Sequence, residues 1–170
     1  MPKRSVSINL LPIFVLPVLL GASQGTTKQA IGWVEYVNVG KQNFRLESKV
    51  DTGADFSSIN GEILKKFTVD GEEWVQFRVE SKQNQSINLE RKIERYAEIK
   101  GRLIPSIKRP VVRLGVCLGN IFRDIEVNLA ERKNFNYPML IGRNFLQGVF
   151  LIDSEITHTI QPSCREIPGN

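Results

Sequence analysis

The sequence predicts an all-β protein. Short apolar or alternating segments recur along the chain, and turn signals that contain Gly separate them. Asp70-Gly71 and Gly119-Asn120 each lie between two β-rich segments, and Gly supplies the positive φ that two-residue hairpin turns need. Frequent short strands joined in this way are typical of a β-barrel or a β-sandwich.

The predicted strands follow one another over most of the chain. The segment from Phe44 to Val50 alternates most clearly, because its apolar side chains share one face and charged residues lie between them. It follows a strand over 31–39 and a turn at 40–43. The other predicted strands are 56–59, 63–69, 74–80, 111–117, 121–129, 149–153 and 156–161.

Two segments carry a helical pattern. In 89–100, Leu89, Ile93 and Tyr96 have helical spacing, whereas the residues from Ile93 to Ile99 also alternate, so the pattern leaves helix and strand open. Only one helix is favoured outright. It is short and begins near Arg143, and it places Phe145, Leu146 and Val149 on one face.

The first 23 residues resemble a secretory signal peptide. Lys3 and Arg4 precede an apolar run from Ile8 to Leu20, and small residues follow it. The run is short for a spanning helix, but an uncleaved membrane anchor stays open as the alternative. We therefore expect 1–23 as signal peptide or anchor, 24–30 as a flexible leader, 31–162 as the folded domain and 163–170 as a tail.

Composition restricts the partners. Without Lys3 and Arg4 the formal net charge falls from +5 by two units, which is too small an excess to indicate nucleic-acid binding. An exported protein in the periplasm or beyond meets an oxidising compartment, where ATP is not an expected cofactor. Cys117 and Cys164 either pair there or remain two independent thiols, and their number alone does not decide.

Asp51-Thr52-Gly53-Ala54 is the strongest functional signal. A predicted strand leads directly into a carboxylate and a tight Gly turn, which is the arrangement that aspartic peptidases need. Their chemistry uses two carboxylates that share one proton around a water molecule. Asp153 lacks the Thr-Gly that would fix it, so we expect the second carboxylate to be Asp51 of another copy.

A second segment completes a resemblance to a known family. With Leu140-Ile141-Gly142-Arg143, the segment Asp51-Thr52-Gly53-Ala54-Asp55 resembles the two signature elements of retropepsins, the homodimeric aspartic proteases. Gly32-Trp33-Val34-Glu35 and Arg109-Pro110-Val111-Val112 resemble, more closely, a bacterial retropepsin-like aspartic endopeptidase family. That family is often labelled "putative ATP-dependent zinc protease" and is associated with the ribosomal-protein glutamate ligase system. The resemblance covers about residues 31–162.

The resemblance implies a fold and a set of roles. The fold would be a closed β-barrel with the acid-protease architecture of a single lobe and one short C-terminal helix. Asp51 would be the catalytic carboxylate, supported by Thr52, Gly53 and Ala54, with the Thr52 hydroxyl bonding across the dimer axis. Ile141 and Gly142 would pass beneath this loop. Asp55 and Arg143 would form an ion pair.

The resemblance also resolves the ambiguous segment as a strand and places a flap at its end. The flap candidates are Lys100, Gly101, Arg102 and Leu103, and this tip is bulkier and more basic than the Gly-rich flaps of viral enzymes. Two interpretations of the basic residues Lys100, Arg102, Lys108 and Arg109 stay open: a solvated hairpin, which we favour, or a surface that attracts acidic peptides.

The sequence contains no residues that support the zinc and ATP labels. His158 is the single His, no His-Glu-x-x-His pair is present, and the chain lacks a Gly-rich phosphate loop. For Ser57 and Ser58 we expect a structural role, because no His is placed nearby as a base.

These observations give two functional hypotheses. The first is an exported, homodimeric aspartic endopeptidase or peptide-amide hydrolase that needs no cofactor and acts on a peptide or protein substrate. The alternative is a non-catalytic peptide-binding module of the cell envelope with the same fold. A metal hydrolase is the third hypothesis.

Overall fold

The computed structural model describes residues 27–99, 106–130 and 136–164, and β-strands dominate it. The all-β prediction is confirmed. The elements are β1 (Gln29–Val39), β2 (Phe44–Val50), β3 (Ser57–Val69), β4 (Glu72–Glu80), β5 (Ser86–Ile99), β6 (Ile107–Leu118), β7 (Ile121–Ala130), β8 (Met139–Ile141), α1 (Arg143–Leu146) and β9 (Phe150–Thr157). In the described ranges, no helix is long and apolar enough to cross a membrane.

The strands form one sheet in the order β4-β5-β6-β7-β3-β8-β2-β1-β9. Two additional pairings, β4 with β3 and β6 with β1, return the sheet on itself. The pairs β1–β9, β2–β8 and β3–β7 are parallel, and the other pairs are antiparallel. Because β2 lies between β1 and β8, the residue that follows β2 emerges beside the end of β8. This arrangement brings the two signature segments together.

The two predicted hairpins are confirmed. Asp70 and Gly71 both have positive φ, 50° and 81°, as the tightest hairpin turn requires, and they join β3 to β4. Gly119 has φ 58° between β6 and β7. Asp is among the few residues other than Gly that adopt this conformation at low cost, so both turns follow directly from the sequence.

Strand β3 corrects one prediction. The sequence suggested separate strands at 56–59 and 63–69, whereas the structure has a single strand from Ser57 to Val69. Gly61, between the two predicted strands, lies inside this strand. A Cβ at Gly61 would be 3.1 Å from the Leu129 side chain and 3.2 Å from the Phe77 side chain. The Gly therefore allows close packing of neighbouring side chains and does not form a turn.

A second prediction, for residues 149–161, is also wrong. Instead of two strands at 149–153 and 156–161, β9 runs from Phe150 to Thr157 and then stops. His158 follows with φ 55°, which ends the extended conformation. The residues after it bind to the buried carboxylate of Glu35, as described below, and so do not continue a sheet.

The ambiguous segment is a strand, as the resemblance implied. Leu89 and Ile93 of β5 are buried, and the pairing with β6 shifts its register between Ile93 and Arg95. Such a bulge changes which face a side chain occupies. The apolar residues therefore do not keep a simple alternation, which is why a helix fitted the pattern equally well.

The core lies between the layers that the folded sheet forms. It includes Val37, Leu46, Phe77, Leu114 and Ile141, all at most 1% exposed. Phe145 and Leu146 of α1 are also buried, and Val149 packs against the core just after the helix, as the predicted face required. Strand β1 begins at Gln29, two residues before the predicted strand.

Glu35 is a charged residue inside this structure and is fully buried. Its Oε1 accepts hydrogen bonds from the backbone N–H groups of Gly32 (2.7 Å) and Thr159 (3.0 Å) and from the Thr159 hydroxyl. Its Oε2 accepts the N–H of Ile160 at 3.3 Å. A buried carboxylate requires such donors, so Glu35 fixes residues 159–160 to β1.

A disulfide fixes the same segment farther along. Cys117 at the end of β6 is bonded to Cys164, 47 residues away. The N–H of Ser163 donates to the Gly119 carbonyl at 2.7 Å beside this bond. The pairing that the sequence left open is therefore present in the structure.

Candidate active site

Asp51 follows β2 and begins a tight loop. Its N–H donates to the Ile141 carbonyl at 2.8 Å, and its carbonyl accepts the N–H of Ala54 at 3.3 Å. Its carboxylate oxygen Oδ1 accepts the N–H of Gly53 at 3.1 Å. Both the backbone and the side chain of Asp51 are thus held within the loop, and the residue is half-buried.

Gly142 lies directly against the other side of this loop. A Cβ on Gly142 would be 2.6 Å from the carbonyl carbon of Phe56 and 2.9 Å from the backbone nitrogen of Ser57. No larger residue fits at that distance. The structure therefore places Ile141 and Gly142 beside the Asp51 loop, where the resemblance implied them.

Arg143 and Asp55 form an ion pair. Nη2 of Arg143 contacts Oδ1 of Asp55, and Nη1 donates to the Thr52 carbonyl at 2.8 Å. The backbone N–H of Arg143 also donates to the Ala54 carbonyl at 2.9 Å. The guanidinium thus spans the Asp51 loop from Thr52 to Asp55 and connects the loop to the first residue of α1.

The loop borders a cleft of about 510 Å³. Asp51, Ala54, Asp55 and Phe56 line one side, and residues 95–99 of β5 with Arg109 and Val111 of β6 line another. Thr52 and Gly53 are exposed at the tip of the loop. Asp51 is therefore accessible to a molecule bound in the cleft.

The charges around the cleft are not equivalent. Asp55 is paired with Arg143, and Arg95 binds Glu126 through Nε and Nη2 at 3.0 and 2.6 Å. Glu98 is an exposed carboxylate of the cleft wall. Arg109 is half-buried and, among the residues that the structure describes, has no carboxylate partner. Arg109 is thus a cation available to an anionic group in the cleft.

The flap candidates Lys100, Gly101, Arg102 and Leu103 lie outside the described residues. The strands that lead to them, β5 and β6, pair up to Ile99 and Ile107. Asp153 lies on β9 and is not among the residues that line the cleft, and its Oδ1 accepts the N–H of Glu155.

The single His takes part in a separate cluster. His158 Nε2 lies 2.8 Å from Oε1 of Glu47, and its ring lies 4.6 Å from that of Tyr36. Lys82 forms an ion pair with the other Glu47 oxygen. Burial raises the pKa of Glu47, but the hydrogen bonds and charges of Lys82 and His158 outweigh it and leave the pKa below its ordinary value. Over the described ranges, no three His, Cys, Asp or Glu side chains are grouped so that they could hold a metal ion.

Sequence reasoning missed the polar residues that connect the two signature segments. Ser57 and Ser58 are buried, as a structural role requires. However, Ser57 also bonds to Gly142 and to Asn144, and Asn128 donates to the Ser57 carbonyl at 3.0 Å. The one sequence signal for this network was Asn144, which directly follows Gly142-Arg143 in the second segment.

The comparison with protein families identifies the chain. Residues 30–163 match a family model described as "Retropepsin-like aspartic endopeptidase RimB". The chain belongs to this RimB-like family. The family assignment agrees with the all-β fold and with the position of Asp51 beside Ile141 and Gly142.

The curated relatives of this chain are longer proteins. A "Probable alpha-L-glutamate ligase" of Desulfotalea psychrophila is 31% identical over 153 residues, which cover 86% of this chain and 32% of that protein. One of the same name from Shewanella pealeana is 32% identical over 111 residues, covering 64% of this chain and 24% of the relative. The chain thus spans about a quarter to a third of these relatives.

A solved structure shares the fold. A Legionella pneumophila protein of unknown function has a TM-score of 0.65 and 34% sequence identity to this chain, and the match covers 78% of this chain and 98% of that one. The match thus covers nearly the whole of that crystallised chain.

Proposed function

We propose that this protein is an aspartic-type peptidase that works as a homodimer and activates water between two Asp51 carboxylates. The observation that carries the proposal is the position of Asp51, which is held by Ile141 and Gly53 and borders a cleft of about 510 Å³. A rigidly held, accessible carboxylate beside a cleft is suited to general acid–base chemistry. The family description names the same chemistry.

The reaction needs one proton shared by two carboxylates. The ionised Asp51 accepts a proton from water as the water oxygen attacks the carbonyl carbon, and the protonated Asp51 of the second copy donates its proton to the carbonyl oxygen. As the C–N bond of the tetrahedral intermediate breaks, the first Asp51 gives the proton it took from water to the leaving nitrogen. The second Asp51, now ionised, takes a proton from one hydroxyl of the intermediate, which leaves as the carboxylic acid product, and the pair again holds one proton. Two carboxyl groups that bind the same water molecule do not both ionise, so the pair retains the proton that the mechanism requires.

The exposed tip of the loop supports the dimer. Thr52 and Gly53 are exposed although they neighbour the proposed reacting group. A two-fold axis beside this tip brings the second Asp51 to the first and allows each Thr52 hydroxyl to bond across it. In the same proposal, the sheet that returns on itself is the closed barrel of one retropepsin lobe, and each copy supplies one lobe.

An oxidising compartment fits the disulfide. Cys117–Cys164 is a bond of the kind that persists in exported proteins and is rare in the cytosol. It supports the proposed export through the N-terminal segment to the periplasm. It also agrees with a reaction that uses no ATP.

The cleft favours a substrate with an acidic side chain. Arg95 is already neutralised by Glu126, whereas Arg109 is half-buried and forms no ion pair with a carboxylate in the described ranges. An acidic side chain bound near Arg109 would supply the missing charge. A peptide substrate with such a residue beside the scissile bond is the first to assay.

The test combines turnover with oligomeric state. Wild type, Asp51→Asn and Asp153→Asn are assayed on acidic peptides, and their mass in solution is measured by analytical ultracentrifugation. We expect hydrolysis by a dimer, its loss in Asp51→Asn, and no change in Asp153→Asn, whose carboxylate lies outside the cleft lining. Equal turnover by Asp51→Asn would remove the proposal. A wild type that binds these peptides as a monomer without cleaving them would support a non-catalytic binding module instead.

A further inference from the structure

The peptide group between Ile141 and Gly142 is held at both of its polar ends. Its carbonyl oxygen accepts the N–H of Asp51 at 2.8 Å. Its N–H donates to Oγ of Ser57 at 3.0 Å. Since the C=O and N–H of one peptide group lie in one rigid plane, rotation of this plane changes both bonds together. The Ser57 hydroxyl and the Asp51 N–H therefore bind the two polar ends of one rigid peptide group.

Asn144 fixes the direction of the Ser57 hydroxyl. The hydroxyl donates to Oδ1 of Asn144 at 2.8 Å, so its lone pairs remain for the Gly142 N–H. The same Oδ1 accepts the Ser57 N–H at 3.0 Å, and the Nδ2 group donates to the Glu126 carbonyl at 2.8 Å. With donor and acceptor ends both used, the side-chain amide has one favourable orientation.

This network has little freedom to adjust. Ser57 is fully buried, and Gly142 lies against the backbone of Phe56 and Ser57. Bulk water therefore does not reach Ser57 to replace the hydroxyl if it is removed. The Gly142 N–H would lose its hydrogen-bond acceptor. The Ile141–Gly142 peptide group would then be held only at its carbonyl end, by the N–H of Asp51.

We propose that Ser57, oriented by Asn144, is a positioning residue that sets the place of the Asp51 carboxylate by holding the Ile141–Gly142 peptide group. The inference rests on the proposed peptidase function for its effect on turnover. Its effect on the backbone is independent of that function. A displacement of about 1 Å in a reacting group costs up to about a hundredfold in rate.

The test compares Ser57→Ala, Ser57→Thr and Asn144→Ala with Ser81→Ala. Ser81 is also a buried Ser, and its hydroxyl accepts two backbone N–H groups, of Gln83 and Gln85, in the turn between β4 and β5. Its loss therefore reproduces the loss of a buried hydroxyl far along the chain from Asp51. The measurements are kcat and KM over a range of pH and amide hydrogen exchange at Asp51 and Gly142.

We expect kcat of Ser57→Ala to fall about tenfold to a hundredfold with KM little changed. Ser57→Thr keeps the hydroxyl and restores most of kcat, and Asn144→Ala lowers kcat less than Ser57→Ala. Exchange at Asp51 and Gly142 speeds up in Ser57→Ala but not in Ser81→Ala. Equal kcat in Ser57→Ala and Ser81→Ala would overturn the proposal, as would equal losses in Ser57→Ala and Ser57→Thr.

The two exchange measurements separate this inference from the proposed function. If wild type does not hydrolyse peptides, the peptidase proposal fails, and exchange at Asp51 and Gly142 still decides whether Ser57 holds the peptide group. Unchanged exchange in Ser57→Ala would then refute it. If Ser57→Ala does not fold, the half-buried Asn144→Ala gives the same comparison.

Discussion

Gly142 and Phe56 approach each other so closely that a Cβ on Gly142 would lie 2.6 Å from the Phe56 carbonyl carbon. The Asp51 loop and the segment before α1 are thus in backbone contact. A substitution at residue 142 therefore tests how closely the backbones of the two signature segments must pack.

Gly142→Ala should destabilise the protein strongly. The added methyl group meets rigid backbone, and overpacking of this kind costs about 3 kcal/mol or more. Denaturant unfolding measures the loss. Gly71→Asn is the control, since nothing lies within 4 Å of a Cβ there and Asn tolerates the positive φ. Similar unfolding midpoints for the two variants would contradict the close fit.

Arg143→Lys should lower activity more than stability. The Arg143 side chain is 49% exposed, so the ion pair with Asp55 contributes at most about 1 kcal/mol. Lys cannot bind the Thr52 carbonyl and the Asp55 carboxylate in the same fork, and the tip of the loop loses its support. We expect kcat to fall about tenfold while the unfolding free energy changes little. The opposite pattern, unchanged kcat with a large loss of stability, would count against a role in the loop.

Glu98→Gln tests whether the second carboxylate comes from within the chain. Glu98 lines the cleft with Asp51, and in a dimer with two Asp51 side chains it is not needed for proton transfer. Hydrolysis and the acidic side of its pH profile should therefore persist in Glu98→Gln. Loss of hydrolysis in a monomeric protein would instead make Glu98 the partner of Asp51.

Glu47→Gln should change how stability depends on pH. The pKa of Glu47 is lowered in the folded protein, so this group stabilises the fold above its unfolded pKa of about 4.5 and loses that contribution as the pH falls through its lower folded pKa. The variant should be less stable than wild type by about 1–2 kcal/mol near neutral pH. The difference should shrink below pH 4.5. A constant difference across this range, measured by thermal unfolding, would show that the charge is not responsible.

Removing the disulfide should cost about 4 kcal/mol in the chain-entropy account, given the 47-residue separation. The double variant Cys117→Ser/Cys164→Ser should unfold at a lower denaturant concentration. Wild type with a reductant should approach the same midpoint. A midpoint that does not move in either case would mean that Glu35 already fixes the C-terminal segment without the bond.

The parts of the fold that the sequence predicted are those set by neighbouring residues. Asp70-Gly71 predicted its hairpin because both residues favour the same unusual conformation. Asp51-Thr52-Gly53 likewise predicted a tight loop after a strand. Each inference used the local chemistry of a few consecutive residues, and each agrees with the structure.

What the sequence did not predict depends on contacts between distant residues. The continuation of β3 through Gly61 was not predicted, and there the Gly packs against Leu129 and Phe77, which are remote in sequence. The end of β9 depends on the left-handed His158 and on Glu35, more than a hundred residues earlier. In the site, the bond between Ser57 and Asn144 joins segments 87 residues apart, and the position of Asn144 after Gly142-Arg143 does not show which residue it binds.

The four hydrogen bonds to Glu35 have a practical consequence for handling the protein. Three of them come from residues 159 and 160, and only Gly32 would remain as a donor if the chain were cut after His158. The fully buried carboxylate of Glu35 would then keep one of these four hydrogen bonds. An expression boundary or a protease site placed there would thus remove most of the hydrogen-bond donors that bind the Glu35 carboxylate.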